Sequence, residues 1–334
     1  MKIFYATYPW AFETPGGGEQ QLKSYIKWLP KESTEICLYD PWSTNMDEMD
    51  ALHFFGCIGG SEHFVNYVRQ AGKKIILSSS LWIDYPEKYP IQHIQTMFNL
   101  ADVIITNSEA ENQNLAAHFL DVQHKFNVVY NGVDVDRFSG PIDNLKCDKF
   151  FAGKLPEEFC LCVGNIEPRK NQLNMLKSLS GKNINIVLIG HIRDNAYYRE
   201  ILNIPDVNII YLGAFEHASD ELIYCMRKAR VFCLPSTLET PGLAALESIT
   251  SGNSNLVITE VGCTKEYFGD SAYYVDPNSI RNIGDCIMQA MSAPKNPILS
   301  ENIAQKFSWN AVCHQLLEIY ENTYEASKRS NDST

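Results

Sequence analysis

The chain has 334 residues, of which 45% are hydrophobic, and a formal net charge of −12 at pH 7. This length is comfortable for two α/β domains, and the acid excess argues against nucleic acid as a partner, because neutralising phosphates requires a basic surface. It also weakens the case for docking on an anionic membrane, so we expect membrane association to be peripheral at most.

No apolar run approaches the length of a membrane span, and residues 2–8 resemble a strand rather than a signal peptide. The ten cysteines include no C-x-x-C pair, which is typical of reduced thiols, and the eight histidines show no metal-ligand spacing. The sequence therefore predicts a cytoplasmic protein without a metal site.

The first half of the chain alternates predicted strands with predicted helices. A strand over 2–8 is followed by Gly16, Gly17 and Gly18 and then by a helix with an apolar face. Such a glycine loop lets the backbone approach a ligand closely, and a tight turn without a ligand is the alternative interpretation. The remaining strands of this half are predicted over 35–39, 51–55, 74–77 and 103–106, and its main helices over 62–70 and 91–100. This alternation favours a parallel, doubly wound sheet.

Local signals continue towards the middle of the chain. Ser108 and Glu111 have the spacing of a capping box, which predicts the start of a helix. Asn131 and Gly132 predict a turn. Residues 141–157 have weak periodicity and are interpreted as an interdomain linker.

The second half carries two cations between a strand and a helix. An apolar strand ends at Gly164, the next loop contains Arg169 and Lys170, and a helix with a leucine stripe follows. Arginine with its planar fork and lysine as a point charge suit a diphosphate at such a loop. The alternative for an isolated Arg-Lys pair is two solvated charges. Strands over 183–190 and 207–213 also end in glycine.

The segment 235–252 has the strongest helix signals in the chain. It follows an apolar strand over 231–234, and its composition predicts a helix over 241–251. We expect Thr240 to be the N-cap, Pro241 to take the first helical position, and Gly252 to form the left-handed stop.

A helix that begins just after a strand points its unpaired N–H groups and positive dipole end into the crevice above the sheet, which favours a phosphate group. Here those N–H groups belong to Gly242 and Leu243. Glu247 lies roughly 9 Å further along the axis, about as far as a ribose lies from a bound phosphate. Glu239, on the loop before the helix, would lie at the far end of the diphosphate. The pattern therefore predicts a nucleoside diphosphate that carries a polar group such as a sugar.

Glu239 and Glu247, with seven residues between them, resemble the E-x7-E motif of the retaining nucleotide-sugar glycosyltransferases of family 4. Other stretches resemble this family in the same order along the chain. They are a G-G-x-E stretch ending at Glu19, an N-G-V-D-x-x-x-F segment starting at Asn131, a phosphate site G-R-x-x-x-x-K-N matched by Gly164, Lys170 and Asn171, and a later segment with Gly262, Glu266 and Tyr267. The resemblance implies the GT-B fold, in which two doubly wound, Rossmann-like α/β domains face each other across a cleft.

The resemblance also implies a division of the chain. Residues 1–140 are expected to form the N-terminal, acceptor-side domain, residues 141–157 the linker, and residues 158–307 the nucleotide-sugar-binding domain. A helix over 308–327 is expected to cross back to the N-terminal domain.

By resemblance, the chain is a hexosyltransferase that moves a sugar from a nucleoside diphosphate sugar to a carbohydrate or other acceptor hydroxyl in glycan or polysaccharide biosynthesis, with no metal and no cofactor. The positions implied for catalysis are Glu239 and Lys170, with Arg169 as a neighbouring cation. The positions implied for the donor are Glu247, Gly242, Leu243, Thr240, Gly164, Asn165, Gly213, Gly17 and Gly18, and those for the acceptor side are Glu19, Ser80 and Asp84.

Two positions depart from the family pattern. The family commonly has a histidine near the transferred sugar where this chain has the serines that begin at Ser78, and it usually has arginine where this chain has Asn165. These departures keep a second hypothesis open, a non-catalytic nucleotide-sugar-binding or regulatory subunit on the same fold. A nucleotide-sugar epimerase or a sugar phosphorylase is a third, disfavoured because the sequence offers no evident proton-abstracting pair or cofactor lysine.

Overall fold

The computed structural model describes residues 1–13, 16–57, 60–252, 254–295 and 297–331. The chain divides into two compact units, the first formed by Met1–Gly132 with the C-terminal segment from Trp309, and the second by Val133–Ser308. The boundary therefore follows Gly132 rather than residue 140. Residues 141–157, expected to be a linker, include a short helix whose Cys147 and Phe151 are buried in the second unit.

Each unit contains a parallel sheet of six strands among the described residues. The strands of the first unit are β1 (Lys2–Thr7), β2 (Glu35–Leu38), β3 (Ala51–Phe55), β4 (Lys74–Ser78), β5 (Val103–Thr106) and β6 (Phe126–Val128). The strands of the second unit are β7 (Cys160–Val163), β8 (Asn185–Ile189), β9 (Asn208–Tyr211), β10 (Val231–Leu234), β11 (Asn255–Thr259) and β12 (Tyr273–Val275). The prediction of parallel α/β sheets is confirmed.

The helices cover these sheets. In chain order they are α1 (Gly17–Trp28), α2 (Ser61–Gln70), α3 (Ile91–Leu100), α4 (Glu109–Ala116), α5 (Val135–Ser139), α6 (Asn144–Phe151), α7 (Gln172–Leu179), α8 (Asn195–Leu202), α9 (Asp220–Lys228), α10 (Leu243–Thr250), α11 (Thr264–Phe268), α12 (Ile280–Ser292), α13 (Pro297–Lys306) and α14 (Trp309–Asn331). Among the described helices, none combines the length and the apolar composition that crossing a bilayer requires.

The first unit has an apolar core on each face of its sheet. Along β1, Ile3 and Tyr5 point into one core while Phe4 and Ala6 point into the other, as the two-residue period of a strand requires. The C-terminal helix α14 completes the core that contains Ile3, so the last helix of the chain packs on the first unit. Its buried stripe is Trp309, Val312, Cys313, Leu316 and Tyr320.

A buried chain of polar groups joins α14 to this sheet. His53 on β3 is fully buried, with Nδ1 2.5 Å from Tyr320 Oη and Nε2 2.8 Å from Ser78 Oγ. Tyr320 Oη also lies 2.8 Å from Tyr5 Oη on β1. Burial lowers the pKa of His53 to about 3, so the imidazole is neutral. Three strands and the C-terminal helix therefore share one hydrogen-bonded network.

The strand order decides where each sheet can bind a ligand. The first sheet has the order β2-β1-β3-β4-β5-β6, and the second has the order β12-β11-β10-β7-β8-β9. In the second sheet the chain runs outward from β7 to β9 and then returns to β10, which pairs with β7. The crevice at the carboxyl ends of β7 and β10 is the switch point at which doubly wound sheets bind ligands. The equivalent point in the first sheet lies between β1 and β3.

Candidate functional site

The carboxyl ends of β7 and β10 bring together two side chains predicted to be catalytic. Lys170 ends a short 3-10 segment after β7, Glu239 lies on the loop after β10, and Lys170 Nζ is 2.5 Å from Glu239 Oε1. The Lys170 side chain is 13% exposed and that of Glu239 is 5% exposed. The ion pair is therefore largely shielded from water.

The stem of this lysine packs on the glycine that follows β7. A Cβ placed on Gly164 would lie 3.4 Å from Lys170 Cε and 3.5 Å from its Cδ, so the lysine stem runs directly over the glycine. Gly190, at the end of β8, has φ of 149° and lies so close to Gly164 that a Cβ there would be 2.0 Å from the Gly164 carbonyl oxygen. Gly190 is therefore required for the close approach of β7 and β8, whereas a Cβ on Gly164 would make ordinary contact with the Lys170 stem.

The electrostatics of the pair keep Glu239 ionised. Burial alone would raise the pKa of this carboxyl, but the positive charges of Lys170 and Arg169 outweigh burial and lower it. Because a buried charge is tolerated only when it is paired, the lysine and the glutamate each stabilise the other in this environment.

The backbone of Glu239 is clamped against the loop after β11. Its N–H donates to the Val261 carbonyl at 3.2 Å, and the Cys263 N–H donates to the Glu239 carbonyl at 3.2 Å. Between these two contacts lies Gly262, with φ of 104°, where a Cβ would be 2.1 Å from the Glu239 carbonyl oxygen. Only glycine fits at this position without moving the Glu239 loop.

Helix α10 begins later than predicted. Its N-cap is Gly242, with φ of 92°, and the helix runs over Leu243–Thr250, so the assignments of Thr240 as N-cap and Pro241 as first helical residue are wrong. The left-handed glycine turns the chain sharply beside the carboxylate, since a Cβ there would lie 3.4 Å from Glu239 Oε2. The predicted stop is confirmed, because Gly252 has φ of 98°.

The start of α10 still has backbone N–H groups without acceptors in the helix, which is the property on which the prediction of a phosphate site relied. The Gly242 carbonyl accepts from Ala245 N at 2.9 Å, which closes the first turn. The N–H groups of the residues before Ala245 have no acceptor within the helix. They include that of Leu243, one of the two groups predicted to face a phosphate.

Glu247 has a partner that was not predicted from the sequence. Glu247 Oε1 lies 2.7 Å from Nε2 of His217, which stands on the loop between β9 and α9, and the Glu247 side chain is 12% exposed. The only sequence signal for His217 was its place after a strand that ends in glycine, at the sheet edge where ligands bind. Gly213, one of the positions implied for the donor, lies on the same loop with φ of 79°, and a Cβ there would meet no described atom within 4 Å.

Arg169 lies beside the pair but is oriented differently. Its side chain is 53% exposed, with Nε 3.5 Å from Glu167 Oε1, while its carbonyl accepts from Thr237 N at 2.9 Å. Arg193, which was not predicted, has Nη1 3.9 Å from Glu167 Oε2 and adds a cation at this edge. Asn165, at the position where arginine was expected, is half-buried, and its carbonyl accepts from Gln172 Nε2 at 2.8 Å.

The predicted acceptor-side residues only partly come together. Glu19, Ser80 and Gly18 line a cavity of about 450 Å³ in the first unit. Asp84 does not line it; this side chain is exposed and accepts from Trp82 Nε1 at 2.7 Å. Gly17 and Gly18 belong to the first turn of α1 rather than to a loop, because Gly16 takes the N-cap position.

Within the described ranges, no group of three or more histidine, cysteine, aspartate or glutamate side chains is placed to hold a metal ion.

The two parallel α/β units define the architecture of the GT-B glycosyltransferases. Anabaena Alr3699/HepE in complex with UDP is 17% identical, with a TM-score of 0.71 over 96% of this chain and 100% of that one. Sucrose-phosphate synthase from Thermosynechococcus elongatus is 14% identical, with a TM-score of 0.77 over 97% of this chain and 99% of that one. At these identities the likeness establishes the fold.

The sequence of the second unit resembles a known family. Residues 148–307, which lie within the second unit, match the family model of the glycosyl transferases group 1. D-inositol 3-phosphate glycosyltransferase from Corynebacterium glutamicum (strain R) is 24% identical over 247 residues, which are 68% of this chain and 58% of that protein. O-antigen chain mannosyltransferase B from Escherichia coli is 26% identical over 175 residues, 48% and 45% of the two chains. The chain thus spans about half the length of these curated relatives.

Proposed function

We propose that this chain is a retaining glycosyltransferase of family 4, acting in the cytoplasm, that moves a hexose from a nucleoside diphosphate sugar to an acceptor hydroxyl in glycan or polysaccharide biosynthesis. The observation that carries the proposal is the shielded Lys170–Glu239 pair at the switch point of the second sheet, beside the N-terminus of α10. The group 1 match of this unit and the mannosyltransferase among its relatives support it.

In the proposed reaction, the leaving diphosphate gains stabilisation as its charge develops. Lys170, Arg169 and the first N–H groups of α10 supply it, which is electrostatic catalysis without a metal ion. The diphosphate competes with Glu239 for Lys170, and the released carboxylate then accepts sugar hydroxyls or stabilises positive charge at the anomeric carbon. Glu247, held by His217, accepts from the ribose hydroxyls.

The test compares Lys170→Met with Lys177→Met, an identical change at an exposed position on α7. A panel of UDP, GDP, ADP and TDP sugars is screened by thermal shift, since a ligand that binds the native state raises Tm. Nucleotide release is then measured with and without EDTA. We expect Lys170→Met to lower turnover about 100-fold or more, Lys177→Met to behave as wild type, and EDTA to have no effect. Wild-type turnover in Lys170→Met would contradict the proposal.

One observation favours the second candidate, a non-catalytic nucleotide-sugar-binding subunit. Asn165 places an amide where the family has a cation, and the charge of Lys170 is already compensated by Glu239. This function predicts a thermal shift with one nucleotide sugar but no nucleotide release with any acceptor. Slow hydrolysis of the donor by wild type, abolished in Lys170→Met, would exclude it.

A further inference from the structure

The cavity in the first unit has the position and size of a small-molecule site. It lies at the carboxyl ends of β1, β3 and β4, where Thr7, Phe55 and Ser79 contribute to its wall. Its volume of about 450 Å³ falls within the range of ligand pockets. The cavity therefore occupies the switch point of its own sheet.

The walls of this cavity are mainly apolar. Tyr8, Leu81 and Tyr89 line it together with Phe55 and Ile94. Pockets of this kind bind through apolar contact and use a few placed polar groups to orient the ligand. The polar groups here are Glu19 and the hydroxyls of Thr7, Ser79 and Ser80.

Charge sets this cavity apart from the site in the second unit. Among its described lining residues there is no lysine, arginine or histidine, and Glu19 is the one carboxylate. Residues 14, 15, 58 and 59, which adjoin lining residues in the sequence but lie outside the described ranges, are Thr, Pro, Ile and Gly and carry no charge. The cavity thus offers acceptors and apolar surface to a ligand, but no cation.

The Glu19 carboxylate is held in a fixed position. Its Oε2 accepts from Gly16 N at 2.7 Å and its Oε1 from Tyr8 Oη at 3.0 Å, and the residue is buried. Two hydrogen bonds leave lone pairs on both oxygens, because an ionised carboxylate offers about four acceptor positions. Glu19 can therefore accept from a ligand hydroxyl without giving up its own support.

The opposite side of the cavity is equally fixed. Glu111, fully buried on α4, accepts from Ser79 Oγ at 2.7 Å and from Leu81 N at 3.0 Å. Ser80, which lies between Ser79 and Leu81 in the sequence, adopts φ of 44° and is exposed. The loop that carries Ser80 is thus tied down by a buried carboxylate, and the cavity is preorganised for its ligand.

The resemblance implies that Glu19 and Ser80 face the acceptor, and we propose that the acceptor taken by this cavity is a neutral sugar or polyol rather than a phosphorylated one. Hydroxyl groups of the acceptor donate to Glu19 and bond with Ser80, while its C–H faces pack on the tyrosine and leucine walls. A phosphate group in the same cavity would meet a fixed negative charge and no counterion, which is an arrangement that selects against it. This inference rests on the proposed glycosyltransferase function.

The experiment pairs each neutral acceptor with its phosphate ester. Glucose and glucose 6-phosphate, mannose and mannose 6-phosphate, and inositol and inositol 3-phosphate are tested with the donor identified by thermal shift. We expect kcat/KM for nucleotide release to be at least about tenfold higher with the neutral member of a productive pair. Equal or better use of the phosphorylated member by wild type would overturn the inference.

Variants separate the role of Glu19 from a general effect. Glu19→Gln keeps an oxygen acceptor but removes the charge, so the preference for the neutral acceptor should shrink. The control is Glu32→Gln, the same change at an exposed position of the first unit, which should leave the preference unaltered. Leu81→Lys adds a cation to the cavity wall and should raise the relative use of phosphorylated acceptors even if Glu19→Gln does not fold. Unchanged preference in a folded Glu19→Gln and in Leu81→Lys would overturn the inference.

The failure of the proposed function gives a different result. If no nucleotide sugar shifts Tm and none is turned over, the function in the second unit is wrong. If the donor is bound and turned over but phosphorylated acceptors are preferred, the function stands and the acceptor class is wrong.

Discussion

Replacing Gly262 by alanine tests whether the position of Glu239 matters, because the change displaces the Glu239 loop but leaves the charge of its carboxylate in place. A Cβ at residue 262 would lie 2.1 Å from the Glu239 carbonyl oxygen, more than 1 Å short of an ordinary contact at 3.4 Å. The Glu239 loop must therefore move by about 1 Å, and a displacement of that size at a reacting centre can cost about 100-fold in rate. We expect Gly262→Ala to lower turnover of the donor by about this factor, or about 2.7 kcal/mol.

The matched control is Gly252→Ala at the end of α10. The two glycines have nearly the same φ, 104° and 98°, so alanine is strained at both, but a Cβ at Gly252 meets no described atom within 4 Å. The left-handed conformation costs about 1–2 kcal/mol in each variant. For a unit of this size that corresponds to a fall in Tm of about 2–4 °C per kcal/mol.

The assay measures Tm and nucleotide release for both variants and wild type. Gly252→Ala should lose stability but keep its turnover at temperatures where it is folded. Gly262→Ala should lose at least as much stability and also most of its activity. Turnover of the two variants within about twofold of each other would refute the claim that the Glu239 loop must be held in place.

Two further variants test an exposed histidine, His217, and a buried one, His53. His217→Ala should raise KM for the donor about three- to tenfold with little change in kcat, because Glu247 loses one orienting hydrogen bond. His217→Gln should restore part of the affinity. An unchanged KM in the alanine variant would show that the pair has no role in donor binding. His53 stays neutral in the folded state, with its pKa lowered to about 3, whereas the unfolded chain binds a proton below about pH 6.5. The folded state is therefore destabilised as pH falls through that window, by about 2 kcal/mol between pH 6.5 and pH 5. Urea unfolding of His53→Gln should lack this part of the acid sensitivity, and an equal loss of stability in both proteins would contradict the assignment.

The elements that the sequence predicted well are those whose signals are local. Buried parallel strands appear as short apolar runs, so β3 and β5 match their predicted ranges, and α3 does too because its apolar residues repeat at helical spacing. The helix start predicted at Ser108 is confirmed, since Ser108 is the N-cap of α4 and its Oγ accepts from Glu111 N at 2.9 Å. These features depend on residues within a few positions of each other.

The features that were mispredicted lack a clear period or contradict a favourable cap composition. The start of α10 is set by Gly242, whose left-handed turn packs against Leu234 and Glu239, so the good local signals at Thr240 and Pro241 did not decide it. Helix α6, within the expected linker, has only eight residues, too few for a clear period, and it is stabilised by the cap from Asp143 to Lys146 N.

In the candidate site, the positions of charged residues along the chain were predictable, but the contacts between them were not. The strand-to-helix loops that carry Lys170 and Glu239 were predictable, because charged residues after buried strands stand out in the sequence. Their direct contact was not, since it requires β7 and β10 to be neighbours although some 70 residues of chain separate them. The pairing of Glu247 with His217 escaped prediction for the same reason.

The contact between Lys170 and Glu239 also explains how charged groups can be kept in a shielded site before any ligand arrives. A buried lysine or glutamate alone would be costly, and the pair offsets much of that cost. In the proposed reaction, the bound diphosphate replaces Glu239 as the anionic partner of Lys170, and the glutamate then faces the sugar. In that reaction the charges that would act on the transition state are already desolvated and oriented, so little reorganisation is needed. The clamp around Gly262 holds the Glu239 partner in place, and only glycine fits at that position.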